Sequence, residues 1–502
     1  MTAGISTVLI HDKHELHKEN TMKKLILLFT IVPALAIILS SCISTPRKEK
    51  TVQQEIVPEQ QKEAGQIPEK AEKNVQKDPP DVVFVKNLQE SLNKNDMQGA
   101  LASFETMPDS LKNDTDLQIL HASILVSAGR GKEAAAIGDA LQAKDGSNVS
   151  VLELNSQIAA ANGDKNKENV LIKQILTVDP YNTSANIQKA GQQVLWHKYK
   201  PAYDYYKKAL KNEPDNPDAL FGCAQMAYYL DNIPEAKATL QKILDKDSKN
   251  AMALAYMGKI AAENENNLQA TKYIQEAISS DPGNYDFYLD LGTYQAKQEN
   301  YNEAESAWTT AITIDPTYFL AYAYRAGLYN ELKKYKESLA DYYSVVKTNP
   351  QYYYAYEEIG ILEWHEQNWE KARKGFKKAL EFSKDNYSYK LMIAATYLKE
   401  NNIEGCKSFL KNAMRNMDTT SIEYAMLRLY NDQGGINAEN YILSKLDKIE
   451  KTTPRGKMWY YMGLYYEIKG SEQIATEFFT KIMNMQTPMF FEYELAEWSL
   501  GK

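Results

Sequence analysis

The sequence predicts an all-α protein that stacks antiparallel helix pairs one after another, and three observations carry that prediction. One pattern of 34 residues runs three times without a gap between Asn284 and Lys384. A position that must be small in the second helix of each pair reads Ala100, Ala134, Glu168, Ala202, Ala236, Ala270, Ala304, Ser338, Ala372 and Cys406, so nine of ten copies are small. Pro180, Pro214, Pro282, Pro316 and Pro350 stand where a second helix must stop before the next pair begins. A fixed period of this length marks an array in which each unit buries its apolar face only against its neighbours.

The three central copies show what each position is for. Tyr288, Tyr322 and Tyr356 are large, and Gly292, Ala326 and Gly360 are small. Trp308, Tyr342 and Phe376 are aromatic, and Ala311, Val345 and Ala379 close the pattern. Small residues let two helices approach, and the aromatic fills the gap between one hairpin and the next. The pattern resembles the tetratricopeptide repeat (TPR). That resemblance implies a right-handed superhelix of antiparallel helix pairs, whose first helices line a concave groove for peptides or helices of partner proteins.

The frame holds from about Asp81 to Met414. Residues 420–450 read as a divergent hairpin broken by Gly434-Gly435. A clear copy then returns one residue out of phase, through Trp459, Met462-Gly463, Tyr466, Ala475, Phe479 and Pro488. The end, Phe490 to Leu500, is amphipathic through Phe491, Leu495 and Trp498 and suits a cap on the last repeat's open face. Residues 82–106 are the least faithful copy and suit the N-terminal cap. The count is about twelve repeats plus a C-terminal capping helix, with the resemblance covering residues 81–502. Copies over 114–180 depart from the pattern, with Gly138 and Ile172 at the aromatic position. They read either as regular copies or as plain helical hairpins that bend the array.

Ahead of the array the sequence changes character twice. Residues 1–21 contain His11, His14 and His17 but lie before Met22, where a targeting signal begins afresh, so no metal site is expected there. Lys23 and Lys24 lead into an apolar run from Leu25 to Leu39, broken only by Thr30 and Pro33. Fifteen residues suit a signal-peptide core and fall short of the roughly twenty that span a bilayer. Leu39-Ser40-Ser41-Cys42 resembles a bacterial lipobox, which implies that the Cys42 thiol receives a diacylglyceryl group and becomes the mature N-terminus. Each acyl chain contributes roughly 0.8 kcal/mol per buried methylene, so two or three, palmitate among them, anchor stably. Ile43 rather than Asp follows the cysteine, which points to the outer membrane.

Residues 43–80 carry no aromatic residue, five prolines, and seven basic against seven acidic side chains. Such a stretch cannot bury enough apolar surface to offset its ordering entropy and reads as a disordered, extended spacer. The expected division is therefore 1–41 extension and signal peptide, 42–80 lipidated cysteine and tether, and 81–502 repeat array.

The chemistry expected of the array is recognition. A net charge of −8 gives no basic footprint for nucleic acid. No Gly-rich phosphate loop, HExxH, GxSxG or paired-cysteine motif is present, so neither an enzyme nor a cofactor nor a metal is expected. His121 falls at a helix packing position and His197 at a hairpin turn beside Trp196. Cys223 and Cys406 fall at packing positions in distant repeats and read as buried thiols.

Carrying the groove offsets of the resemblance over gives Asp286, Asp290, Tyr324, Tyr354, Glu357, Glu358, Ile361, Trp364 and His365 as partner-binding residues. In a fourth copy the same offsets give Leu391, Ala395 and Leu398. Aromatic side chains dominate interface energetics, and the carboxylates favour a basic partner. The Lys and Asn set that clamps a C-terminal carboxylate in chaperone-binding TPRs is missing. The sequence thus reads as a lipid-anchored scaffold of the cell envelope, facing the periplasm and gathering other envelope proteins or peptides. The alternative is a periplasmic binder of apolar small molecules that works with a solute transporter.

Overall fold

A computed structural model describes residues 79–446, 448–485 and 490–501. The signal segment, Cys42, nearly all of the spacer and Pro488 lie outside the described residues. These residues fall into two compact units, 79–248 and 249–501.

Local chemistry sets the ends of every helix pair. Asp114, Asn148, Asn182, Asn216, Asn250, Asn284 and Asn386 each cap a first helix by accepting a backbone N–H from its opening turn. All seven stand on the 34-residue register; Tyr318 and Tyr352 take the two places between Asn284 and Asn386. Each proline named above follows directly on the C-cap residue of a second helix, where it blocks continuation.

The turn inside each pair is equally regular. Asn95, Gly129, Gly163, His197, Asp231, Glu265, Glu299, Lys333, Gln367 and Asn401 all adopt left-handed backbone, with φ between 53° and 76°, at 34-residue intervals. Each one reverses the chain in a Schellman motif: the Lys333 N–H donates to the Asn330 carbonyl (3.0 Å), and the Lys334 N–H to the Tyr329 carbonyl (2.8 Å). Only two of these ten are glycine, so the period is carried by geometry that residue identity hides. Gly470 repeats the motif two periods and one residue after Asn401, which is the phase slip seen in the last copy.

The first unit, 79–248, holds five helix pairs: α1 and α2 (Pro80–Asn93, Met97–Glu105), α3 and α4 (Thr115–Ser127, Gly131–Lys144), α5 and α6 (Val149–Ala161, Lys165–Val178), α7 and α8 (Thr183–Leu195, Tyr199–Asn212), and α9 and α10 (Pro217–Tyr229, Ile233–Lys246). Phe84 meets Phe104 edge-on at 5.6 Å, and Phe104 stacks on His121 at 4.3 Å. His121 is thus a packing residue, and burial beside Arg130 holds its imidazole below the usual range.

The departing copies over 114–180 are ordinary pairs in the same register. Asn155, on α5, donates to the Gly138 carbonyl (3.0 Å), a polar contact where other copies place an aromatic ring. Glu168 takes the small position almost fully buried and pairs with Lys165 at 3.0 Å.

The second unit, 249–501, holds seven pairs: α11 and α12 (Ala251–Glu263, Asn267–Ser280), α13 and α14 (Tyr285–Ala296, Tyr301–Ile314), α15 and α16 (Phe319–Glu331, Tyr335–Thr348), α17 and α18 (Tyr354–His365, Trp369–Phe382), α19 and α20 (Tyr387–Lys399, Ile403–Ala413), α21 and α22 (Ile422–Asp432, Ile436–Leu446), and α23 and α24 (Thr452–Ile468, Glu472–Met483). The short α25 (Glu492–Ser499) follows. The described residues therefore hold the expected twelve pairs and terminal helix, with no strand. No described helix is long and apolar enough to cross a membrane.

Within this unit the small and aromatic positions interlock. A Cβ added at Gly292 would lie 2.4 Å from Trp308, and at Gly360 2.8 Å from Phe376. Trp308 is fully buried, and its indole N–H donates to the Leu289 carbonyl (3.2 Å). Cys406, at the small position of α20, is a buried thiol whose pKa is pushed to about 12 by burial, as is that of Cys223 in the first unit.

Two opposite effects on stability follow from this geometry. Gly292→Ala forces Trp308 aside, and we expect a loss of roughly 1–3 kcal/mol. Gly327→Ala, on the open side of α15 with nothing near its Cβ, should instead add roughly 0.5–1 kcal/mol. Urea midpoints followed by circular dichroism separate the two. Lys333→Gly relieves a left-handed lysine and should raise the unfolding free energy by about 1 kcal/mol, seen as a higher midpoint; an unchanged midpoint means the turn carries no strain.

Candidate partner-binding face

The first helices of the second unit present a face with two polar neighbourhoods. In the first, Asp286 and Asp290 stand one turn apart on α13. The Lys259 ammonium, on α11, reaches Asp290 at 2.8 Å, and the Tyr318 hydroxyl donates to Asp286 at 2.7 Å. Burial alone would lower the Lys259 ammonium, but Asp290, Tyr294 and Tyr256 outweigh it and hold it well above its ordinary value. Burial and Asp286 likewise push the Tyr318 hydroxyl up. The two aspartates are therefore tied by side chains of neighbouring pairs, and Asp286 keeps an exposed edge.

The second neighbourhood centres on α17. Tyr354 is half-buried with its ring 4.0 Å from that of Tyr353. Glu357 accepts a hydrogen bond from the Tyr389 hydroxyl on α19, and burial raises its pKa. Glu358, beside it, is held well above the carboxylate range by burial, then by Glu494 and Glu357. His365 lies 4.6 Å from the Tyr335 ring and 4.3 Å from the Trp498 ring.

The structure divides the residues that the repeat offsets selected. Asp286, Asp290, Tyr354, Glu357, Glu358 and His365 keep at least part of their surface. Tyr324, Ile361 and Trp364 are buried in packing between helices, with Trp364 set edge-on to Trp369 at 4.9 Å. In the fourth copy Leu391, Ala395 and Leu398 do not line an open groove. They belong to a core that α23 closes by packing directly on α19.

The sequence did not reveal two further participants. One is the pair Lys259 and Tyr318, which no motif distinguishes from other lysines and tyrosines. The other is α25, whose amphipathic pattern was visible but whose destination was not. It packs on α23 and α24 as a cap does, and it also reaches α17. The Phe491 ring lies 6.1 Å from Phe376 and 6.3 Å from Tyr389. Trp498 donates its indole N–H to the Tyr335 hydroxyl at 3.1 Å, across 163 residues of sequence. The buried Glu492 carboxylate accepts from the Ser388 hydroxyl (2.5 Å) and lies 2.9 Å from the Tyr461 hydroxyl, with Lys457 at 3.7 Å.

Comparison with known proteins agrees with the helix-pair geometry. A family model described as a tetratricopeptide repeat matches residues 197–260, and a second of the same description matches 256–319 and 289–350. No curated protein matches the sequence. Similar solved structures include a tetratricopeptide repeat protein from Parabacteroides merdae, 20% identical over 50% of this chain and 98% of that one, with a TM-score of 0.35. A thermophilic TPR protein of Thermus thermophilus is 18% identical over 34% of this chain and 93% of its own, with a TM-score of 0.31. YrrB, described as a TPR protein with an unusual peptide-binding site, is 18% identical over 37% of this chain and 95% of its own, with a TM-score of 0.29. Residues 197–350 carry tetratricopeptide repeats, and the described residues on both sides of them continue the same all-α succession of helix pairs.

Proposed function

We propose that this chain is a lipid-anchored scaffold of the bacterial cell envelope that holds basic segments of other proteins on the first-helix face of residues 249–501. The observation that carries the reading is the pair Glu357 and Glu358 on α17, the helix that also presents Tyr354 and His365, with Asp286 and Asp290 on α13 as a second acidic pair among the first helices. Three of these carboxylates, Asp286, Glu357 and Glu358, are held above their ordinary range by burial, so a cationic side chain that reaches them favours their charged forms. No catalytic role is assigned to any residue.

The anchor belongs to the same proposal. Acyl chains on Cys42 fix the N-terminus to the outer membrane, and the spacer holds the helix pairs away from it in the periplasm.

Crosslinking capture from the native envelope tests the scaffold. The full-length chain should retain a protein that Asp290→Asn with Glu358→Gln loses by roughly tenfold. Equal capture by parent and variant would place the binding face elsewhere, and capture of nothing by either would end the reading. The anchor is tested separately. Cys42→Ser should move the protein from the detergent phase to the aqueous phase on Triton X-114 partition and abolish palmitate labelling, whereas unchanged partition removes the lipid.

A further inference from the structure

The face proposed to bind partners already has an occupant, and its fit is uneven. Helix α25 has eight residues, too few for a stable helix in isolation, so its order depends on what it touches. Its apolar side fits well: Phe491 lies against Phe376 and Tyr389, Leu495 is buried, and Trp498 packs on both His365 and Tyr335. These three anchors follow an i, i+4, i+7 spacing, the way an amphipathic helix enters a groove.

Its charged side fits poorly. The Glu494 charge acts on Glu358 and Tyr342, Glu497 lies on its own helix, and Glu357 beside Glu358 feels Glu492 of α25. Tyr335 flanks the same group, and Lys333 is the cation that offsets it. Like charges therefore meet where the apolar anchors seat. Burial, then Glu497, pushes the Glu494 carboxyl up to about 7 from an ordinary 4.5. A raised carboxyl means that docking takes up a proton. Docking is therefore strongest below pH 4.5 and weakens as pH rises towards about 7, by up to about tenfold per unit.

We propose that α25 is an internal, displaceable occupant of this face, and that the face's external ligand is an amphipathic helix carrying the same aromatic anchors with basic residues in place of Glu494 and Glu497. The proposal rests on the partner-binding reading above and gives that partner its chemistry. A basic helix converts the repulsion at Glu358 into attraction while keeping every apolar contact, so it competes with the tethered helix despite the latter's high local concentration.

The test uses two labelled peptides, residues 490–501 as they stand and the same segment with Glu494→Lys and Glu497→Lys. Both are titrated by fluorescence anisotropy into the full-length chain at pH 8. The lysine peptide should bind about tenfold more tightly than the native-sequence peptide, and Glu358→Gln should shrink that difference. Trp498→Ala, which frees the face, should tighten binding of both peptides. Because that variant removes packing, hydrogen exchange on the unaltered chain supplies an independent reading. Saturating lysine peptide should deprotect 492–499 while 452–468 stays protected. Unchanged protection of 492–499 under saturation, or equal affinity of the two peptides, overturns the proposal. If the peptide fails while envelope capture succeeds, the displaceable helix falls and the scaffold stands. If the peptide displaces α25 and the envelope yields no partner, the reverse holds.

Discussion

Everything in this fold depends on how closely two helices can approach within a pair. The small position of the second helix is fully buried at Ala100, Ala134, Ala202, Ala236, Ala270, Ala304, Ser338, Ala372 and Cys406, so no volume is free there for a branched side chain. Close approach at one point leaves a gap farther along, and an aromatic residue such as Trp308 or Phe376 fills it. Where Ser338 brings a hydroxyl into this contact, it donates to the Ala326 carbonyl at 2.9 Å, so the polar group is satisfied without added space. Turns and caps then follow from the same constraint, since a pair held at fixed distance can be closed by only one short reversal.

A second consequence concerns the ends. A helix pair buries one face against its neighbour and leaves the next face open, and an array must stop somewhere. The second unit stops by turning back on itself. After the divergent pair α21 and α22, the slipped copy α23 and α24 packs on α19 and covers a face that the regular register would leave to solvent. Helix α25 extends that cover to α17. Tyr461, Ser388 and Glu492 form a buried polar knot at the junction, which fixes where the covering helix seats.

The electrostatics of the first-helix face take their character from this cover. Carboxylates that would sit in water on an open array, Glu357, Glu358 and Glu494, are instead brought together in surroundings that favour their neutral forms. Asp290, by contrast, is matched by Lys259, while Asp286, like Glu357, accepts from a neighbouring tyrosine hydroxyl and is raised by burial. One face thus offers a neutralised neighbourhood beside a frustrated one, and the frustrated one is where the chain's own helix lies.

The period, the class and the number of helix pairs were legible in the sequence, because these rest on local rules repeated at fixed intervals: a small residue, an aromatic and a closing proline. It also placed His121, Cys223 and Cys406 correctly in packing positions. It under-read the copies over 114–180, where Asn155 and Gly138 use a hydrogen bond in place of an aromatic ring, and it could not see the left-handed turns, which eight of ten copies build without glycine. Which first-helix side chains remain accessible is a matter of packing between helices. Tyr324 shares the offset of Glu358, and Ile361 and Trp364 stand on the same helix as Tyr354, yet all three are buried, and Leu391, Ala395 and Leu398 vanish beneath α23. Their exposure depends on elements tens of residues or more away in the chain, and periodicity within one repeat holds no information about a segment that returns from beyond it.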